Sequence, residues 1–172
     1  MNYDFVAMVP LQAKNSLEEL KNVKKLIVGG SLISPALEKE LMKLPTEVYE
    51  TYGMTETVTH IAAKRVGEKV FTVLPGVTIT YDDRNCLVIH APKIIADETV
   101  VTNDLVELVN ENQFKFLGRI DNVINSGGVK IIPEQVEHKL SGLIDKRYFI
   151  APKEDVELGQ KVVLVVEGEA FD

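Results

Sequence analysis

Residues 26–35, LIVGGSLISP, join an apolar run, a glycine turn and a typical helix start. The first three residues are typical of a short buried strand, which the two following glycines end. Ser34 suits a helix N-cap, and Pro35 suits the first helical position, where no backbone N–H is needed. Leucines then recur at helical spacing until Pro45, so we predict a strand, a turn and a helix over about 35–43.

The segments on either side extend this alternation of helix and strand. Residues 17–25 begin as a short helix, with Ser16 and Glu19 at capping-box spacing. A second strand near residues 47–49 leads into the loop at 52–57, which therefore follows the carboxyl end of a strand. Open α/β sheets bind their ligands at that edge, so this loop is a candidate site.

Residues 64–117 have a different, β-rich pattern with no evident helix. Four strand-like runs form two pairs, each around a polar turn: 77–81 with 86–90, and 105–109 with 113–117. Polar turns between short apolar runs are typical of hairpins. We therefore predict a small antiparallel barrel-like unit here.

A third unit begins after Gly118, where short strands surround one helix predicted over 133–140. We predict an α/β plus β fold: a partial α/β sheet unit, a small antiparallel β-barrel-like unit and the start of a small α+β C-terminal domain. The predicted limits are 1–63 and 64–117 for the two parts of a large domain, 118–121 for a hinge, and 122–172 for a truncated small domain.

Composition excludes several classes of protein. The chain has 172 residues, 45% of them hydrophobic, which suits a folded domain rather than a disordered chain. Its formal net charge of −7 argues against nucleic acid as a partner. Cys86 is the only cysteine, so an internal disulfide is impossible and a cytoplasmic location fits best. No apolar run is long enough to span a membrane, so we expect no membrane partner.

Single motifs are weak evidence of function in this sequence. The common signatures GxxxxGK[ST], GxGxxG, HExxH and GxSxG are absent, and the histidines at 60, 90 and 138 are far apart. Thr55 and Glu56 supply a hydroxyl and a carboxylate that could contact a phosphate and Mg²⁺. Taken alone, a solvated glycine turn explains them better, as a flexible turn explains residues 125–128 and a strand entry explains Asp104.

Three of these stretches, taken in order, resemble a known family. They are residues 52–56 (YGMTE), 102–104 (TND) and 118–137 (GRIDNVINSGGVKIIPEQVE). They resemble successive signatures of the AMP-forming acyl-CoA synthetase and adenylation family. Residues 26–34 and 74–77 also fall where that family has a glycine turn and a proline-glycine entry to its barrel. Residues 53–57, with the compact β segment, look most like the members that act on o-succinylbenzoate in menaquinone synthesis.

The resemblance implies ATP or AMP, Mg²⁺ and CoA as ligands and a small carboxylate as substrate. The implied nucleotide-binding residues are Gly30, Ser31, Tyr52, Gly53, Thr55, Asp104 and Arg119. Among them, Tyr52 would stack on adenine, and Asp104 and Arg119 would hold the ribose. Thr55 and Glu56 would be catalytic, with Thr55 on the α-phosphate and Glu56 holding Mg²⁺.

The same resemblance implies two reactions, formation of an acyl adenylate and its conversion to a CoA thioester. Adenylation gives the carboxylate a leaving group that a thiol can displace. Asp121 would be the hinge about which the small domain turns between the two reactions. Gly127, Gly128 and Lys130 would then lie on the face that meets CoA.

Some positions depart from the family pattern. Glu50 stands where an amide often contacts adenine, Asn103 replaces the usual glycine before Asp104, and the glycine-rich pattern expected before Asp104 is reduced to residues 87–90. The family's phosphate loop and catalytic lysine are expected upstream and downstream of the sequence, and Lys161 reads as a strand entry rather than that lysine. We therefore expect an internal fragment, or a truncated product, of a larger ligase.

Other functions stay open at this point. One is a ligase of the same family for another carboxylic acid, which the acyl pocket around Gly30, Ser31 and His60 would decide. A second is a non-catalytic nucleotide-binding or regulatory module. A third is a structural interaction module, and the sequence leaves the oligomeric state open.

Overall fold

The computed structural model describes residues 2–95 and 99–169. Three parts of the predicted units lie outside the described residues: residue 1 of the first unit, residues 96–98 of the β unit and residues 170–172 of the small domain. Strands dominate the fold, which contains one mixed sheet and one small antiparallel sheet. None of the described helices is long and apolar enough to cross a membrane.

Nine strands form the mixed sheet. They are β1 (Tyr3–Met8), β2 (Val23–Val28), β3 (Glu47–Gly53), β4 (His60–Arg65), β5 (Phe71–Val73), β6 (Thr78–Tyr81), β7 (Cys86–His90), β8 (Thr99–Asn110) and β9 (Gln113–Arg119). Their order across the sheet is β1-β2-β3-β4-β5-β9-β8-β7-β6. The first three strands are parallel, and every later pair is antiparallel.

Three helices accompany the parallel strands: α1 (Pro10–Asn15), α2 (Leu17–Leu20) and α3 (Pro35–Leu41). Their apolar side chains pack with those of β2 and β3 into one core, which includes Leu20, Leu26, Leu41 and Val48. The antiparallel strands have a second core around Phe71, Phe114, Leu87 and Ile89. In β7, for example, Leu87 and Ile89 face the core two residues apart, as the pleat of a strand requires.

The parallel and antiparallel parts belong to one continuous sheet, because β3 pairs with β4. The prediction of a separate β unit is corrected in this respect, since its strands continue those of the parallel part in one order from β1 to β6. Composition changes along the chain, but hydrogen bonding between strands does not stop where composition changes. The limits at 63 and 117 stay predictions.

Four strands form the second sheet, with α4 (Pro133–Leu140) joining its first and second pairs. They are β10 (Ile124–Ser126), β11 (Val129–Ile131), β12 (Tyr148–Asp155) and β13 (Gly159–Val166), in the order β11-β10-β13-β12. β13 pairs with β12 along its whole length and with β10 at Ser126 and Gly159, so it belongs to this small sheet and not to the large one.

Local signals at the helix ends were correct in one case and wrong in another. Ser34 caps α3, with its Oγ accepting from Leu37 N at 3.3 Å. The capping box expected at Ser16 does not form, because α2 is a single turn that makes no side-chain cap bond. The sequence pattern also did not predict β1 and α1, which precede the first predicted helix.

Candidate functional site

A side-chain hydrogen bond joins Tyr52 on β3 to Asp104 on β8, although three strands lie between β3 and β8 in the order of the sheet. Tyr52 Oη donates to Asp104 Oδ2 at 2.5 Å, and Asp104 N donates to Thr102 Oγ1 at 3.0 Å. Burial, followed by the hydrogen bond to Asp104, raises the pKa of Tyr52 far above its ordinary value. The phenol therefore keeps its proton and acts as a donor to the carboxylate.

Three phenylalanines surround the Tyr52 ring. Its centroid lies 5.2 Å from that of Phe114 in an edge arrangement, 5.9 Å from Phe71 and 6.3 Å from Phe116. Edge and tilted contacts at these distances are favourable for aromatic pairs. The ring is only half-buried, so part of its surface stays open to a ligand, and stacking on adenine stays a prediction.

Arg119 adds a positive charge beside this pair. It lies opposite Asp104 in the β8–β9 register, with Nη1 3.9 Å from Asp104 Oδ1. Its Nη2 donates to Asp121 Oδ2 at 3.2 Å. The hydrogen bond to Asp121 and then the charge of Asp104 raise the pKa of Arg119. A buried carboxylate beside a guanidinium can accept from the hydroxyls of a ribose, so this cluster suits a nucleoside.

A single 3-10 turn, Thr55–Thr57, follows β3 and presents Thr55 and Glu56 to solvent. Its third residue, Thr57, is fully buried, and its hydroxyl oxygen lies 3.0 Å from Met54 N, 3.0 Å from Met54 O and 2.9 Å from Thr59 O. The Thr57 hydroxyl thus hydrogen-bonds to backbone groups on both sides of the turn. Sequence reasoning assigned Thr57 no role, because its only signal is a threonine after two polar residues.

Val58 closes the same turn in a strained conformation. Its φ is +62° and ψ −32°, and Thr59 N donates to Thr57 O at 2.6 Å around it. This three-residue bond is a γ-turn, a form that strains a β-branched residue. Backbone strain of this kind clusters at ligand sites, which marks the turn beside Glu56.

A cleft of about 320 Å³ lies at the carboxyl ends of β1 and β2. Met8, Val9, Gly30 and His60 line it, whereas Ser31 is exposed and is not among its lining residues. A Cβ on Gly29 would lie 2.3 Å from Thr51 Oγ1, so a side chain at this position would force Thr51 to move. The structure thus brings Gly30 and His60 of the predicted acyl pocket together, but not Ser31.

Comparison with known proteins shows which proteins the whole chain is similar to. The chain is 29% identical over 179 residues to the 2-succinylbenzoate–CoA ligase of Salmonella typhimurium, which covers 94% of the chain. A solved acyl-CoA synthetase (AMP-forming)/AMP-acid ligase II-like protein from Dyadobacter fermentans is 38% identical, covers 99% of the chain and superposes with a TM-score of 0.66. The chain is a relative of the AMP-forming acyl-CoA synthetases. No family profile matches it.

The fold agreement extends to a further member. Escherichia coli MenE, solved with an analogue of OSB-AMS, is 25% identical, covers 98% of the chain and has a TM-score of 0.78. The chain spans only part of these proteins: 39% of the Salmonella ligase, 53% of the Dyadobacter protein and 43% of MenE. The activity of a complete synthetase is therefore a proposal for this chain.

The donor set at Thr55 and Glu56 fits the Mg²⁺ that the family resemblance implies. A hydroxyl and a carboxylate are hard oxygen ligands, and both are exposed on the turn. Within residues 2–95 and 99–169, no group of three or more His, Cys, Asp and Glu side chains could hold a metal ion. Mg²⁺ commonly takes one or two carboxylates and completes its shell with phosphate and water, so one carboxylate is compatible with that ion.

Glu50, which departs from the family pattern at a position expected to affect adenine contacts, forms an ion pair with a residue of the neighbouring strand. Its Oε2 lies 2.6 Å from Lys64 Nζ, and both side chains are 10% exposed. Lys64 Nζ also lies 5.3 Å from the centroid of the Phe71 ring. Breaking one partner of a buried pair leaves an unpaired charge, so Glu50 has a structural role in this sheet.

Asp121 lies in a second 3-10 turn, Ile120–Asn122, which connects the two sheets. From the large sheet, Asn103 Nδ2 donates to both of its oxygens, at 3.2 and 3.1 Å. From α4, Glu134 Oε1 accepts from Arg119 N at 3.4 Å and from Asn122 Nδ2 at 2.6 Å. The predicted hinge is therefore held on both sides, in part by Asn103, a residue noted in the sequence only as a departure.

Gly127 and Gly128 form the two-residue turn between β10 and β11. Their φ angles of +56° and +85° suit the mirror-image turns that join antiparallel strands, and Gly127 N donates to Leu158 O at 3.0 Å. Lys130 is exposed on β11. Across the described residues, no hydrogen bond or ion pair links these three residues to Tyr52 or Asp104, so their predicted contact with CoA stays a prediction.

Proposed function

We propose that the chain is part of an ATP-dependent carboxylate–CoA ligase that acts on o-succinylbenzoate. The observation that carries this proposal is the meeting of Asp104 and Arg119 with Tyr52, which lies three residues before the exposed Thr55–Glu56 turn. These residues come from three strands and one turn, yet they supply the groups that a nucleotide and its phosphates require. Support also comes from the relatives, one named a 2-succinylbenzoate–CoA ligase and one an AMP-forming acyl-CoA synthetase-like protein.

In the first reaction, a carboxylate oxygen attacks the α-phosphorus of ATP and pyrophosphate leaves. Asp104 and Arg119 bind the ribose, and the half-buried face of Tyr52 orients the adenine. The Thr55 hydroxyl donates to the α-phosphate as negative charge develops there, which favours the transition state over the ground state. Glu56 would hold Mg²⁺, which neutralises phosphate charge when bound.

In the second reaction, the CoA thiolate attacks the acyl carbon, and AMP leaves with the electron pair of the broken C–O bond. Gly127, Gly128 and Lys130 would face CoA after the small domain turns about Asp121. Glycines allow the backbone to approach the ligand closely, and Lys130 offers a positive charge to the phosphates of CoA. Two reactions at one nucleotide require two arrangements of the domain, which a hinge can supply.

The choice of o-succinylbenzoate rests on the motif at residues 53–57 and on the relatives named for that acid. The cleft beside Gly30 supports it, because Met8 and Val9 offer apolar contacts and His60 offers a polar one. An aromatic ring with two carboxylates needs both kinds of contact. This site lies at the carboxyl ends of parallel strands, where open α/β sheets bind ligands.

The test uses the protein expressed from the complete gene that carries this chain. With ATP, Mg²⁺ and CoA, o-succinylbenzoate should release pyrophosphate and yield a thioester detectable by mass spectrometry. Benzoate and a medium-chain fatty acid serve as competing substrates. A preference for either competing acid would show that o-succinylbenzoate is not the substrate. AMP binding without pyrophosphate release would favour a non-catalytic nucleotide-binding module.

A matched pair of variants tests the nucleotide role of the cluster. Asp104→Ala should weaken AMP binding, measured by calorimetry, whereas Asp83→Ala, in an exposed turn, should leave it unchanged. The 172-residue chain alone should show no ligase turnover, because catalysis collapses when interdependent groups are missing. Turnover within about tenfold of the complete protein would overturn the assignment of roles.

A further inference from the structure

Arg84 lies in the turn between β6 and β7, where its guanidinium is held in one orientation. Asp82 Oδ2 accepts from Arg84 Nε at 2.7 Å, and Asp82 Oδ1 accepts from the backbone N of Arg84 at 2.9 Å. The remaining nitrogens reach β8: Nη1 donates to Asn103 Oδ1 and Nη2 to Thr102 O, both at 3.0 Å. Because a guanidinium is planar and donates in fixed directions, these contacts fix the orientation of the Arg84 guanidinium.

The fixed Arg84 guanidinium determines the orientation of the Asn103 side-chain amide. A guanidinium only donates, so the amide oxygen must face Arg84 and the amide NH₂ must face away from it. On that side, Nδ2 donates to both oxygens of Asp121 at 3.2 and 3.1 Å. Reversing the amide would place two donors together and two acceptors together. Arg84 therefore acts on Asp121 through Asn103.

Asp121 in turn contacts Arg119, which lies beside Asp104 in the proposed nucleotide site. Its Oδ2 accepts from Arg119 Nη2 at 3.2 Å, and Arg119 Nη1 lies 3.9 Å from Asp104 Oδ1. Charges therefore alternate from Asp82 through Arg84, Asp121 and Arg119 to Asp104, with Asn103 as the neutral link. Most of these groups are exposed, so solvent weakens each contact singly, but a network fixes geometry better than isolated pairs.

We propose that Arg84 and Asn103 are positioning residues, which hold Asp121 and, through it, the Arg119 guanidinium against Asp104. The proposal rests on the proposed function, because it treats Asp121 as the hinge of a two-step ligase. Neither residue touches the reacting atoms. Removing either should loosen the turn at 120–122 and change the two half-reactions unequally, since only the hinge orientation differs between them.

The first experiment measures amide hydrogen exchange at residues 118–126 of the chain itself. Asn103→Gly removes both bonds to Asp121, and Arg84→Lys keeps the charge but lacks the planar fork. Each should speed exchange in this segment about fivefold or more. Lys115→Ala, which breaks an exposed pair with Glu107 on the same two strands, is the control and should leave this segment unchanged.

A second pair of variants restores the contact instead of removing it. Asn103→Asp sets two carboxylates against each other, so exchange in the segment should rise. Adding Asp121→Asn returns an amide donor to face the new carboxylate at position 103, which still accepts from Arg84. Exchange should then fall towards the wild-type rate, while a merely structural effect of residue 103 would persist in the double variant.

In the complete enzyme, the ratio of acyl-adenylate formation to thioester formation should change about threefold or more in Asn103→Gly and Arg84→Lys, but not in Lys115→Ala. Equal slowing of both steps, or unchanged exchange at 118–126, overturns the positioning role. The exchange measurement does not depend on ligase activity. If the wild-type enzyme proved inactive but amide exchange at 118–126 were faster in the variants, the proposed function would be overturned. The role of Arg84 and Asn103 in positioning Asp121 would still be supported.

Discussion

The phenol of Tyr52 donates to the carboxylate of Asp104 across 52 positions of sequence. This bond joins the end of a strand in the parallel part of the sheet to a strand in its antiparallel part. Because β3 pairs with β4, these two strands belong to one continuous sheet, and the candidate site draws on both of its parts. The two residues share a single environment, in which the half-buried phenol stays protonated and the carboxylate remains its acceptor.

Replacing Tyr52 by Phe should lower the free energy of unfolding by about 2 kcal/mol, because Asp104 loses a donor in a buried position. The ring contacts with Phe71 and Phe114 should survive. Urea denaturation measures the change. Tyr49→Phe on the same strand is the control, since its Oη makes only a 3.4 Å contact with Glu47, and it should stay within about 0.5 kcal/mol of wild type. Equal losses in both variants would contradict the assigned bond.

Glu56→Gln in the complete ligase should slow acyl-adenylate formation on the order of 10²-fold and barely alter carboxylate binding. A metal ligand acts mainly on charge that develops at phosphorus, not on the ground-state acid. Single-turnover measurement of acyl-AMP separates the two effects. Glu111→Gln, in the exposed β8–β9 turn, should retain the wild-type rate. An unchanged adenylation rate in Glu56→Gln would exclude the metal role.

Val58→Gly should raise the free energy of unfolding by about 1 kcal/mol, since glycine tolerates a φ of +62° and relieves strain that exceeds its entropic penalty. The same substitution at Val101, an exposed position inside β8, should instead lower it by about 1 kcal/mol. Thermal and urea unfolding of both variants tests this contrast in sign. Destabilisation of similar size at both positions would show that Val58 stores no strain.

Asp82→Asn should remove a pH-dependent part of the stability. Burial acts to raise the pKa of Asp82, but hydrogen bonds from the backbone of Cys86 and from Arg84 outweigh it and hold the pKa below its ordinary value of 3.8. The carboxylate therefore stabilises the fold above pH 3.8, and this contribution is lost as the pH falls through the lowered value.

Thermal unfolding from pH 2 to 6 measures this contribution. The Asp82→Asn variant should be less stable than wild type at pH 6 and should approach it near pH 2. Asp83→Asn, in the same turn, is the control and should follow the wild-type curve. A constant difference between Asp82→Asn and wild type across the whole range would argue against the ionised carboxylate as the cause.

The sequence by itself determined the features that depend on neighbouring residues. The helix start at Ser34 and Pro35 and the hairpin around residues 82–85 formed as predicted, and the turn predicted at 125–128 formed at its two glycines only. These elements form where backbone preference and short-range hydrogen bonds agree. The family likewise follows from the order of the three motif stretches along the chain, which does not depend on how the strands pair.

Only the tertiary structure decided which distant groups meet. The bond from Tyr52 to Asp104, the pair of Glu50 with Lys64 and the hold of Asn103 on Asp121 depend on the register of strands far apart in sequence. A shift of one residue in register would turn each of these side chains to the opposite face of the sheet. Composition and local pattern do not encode that register, because it is set by the packing of the whole sheet at once.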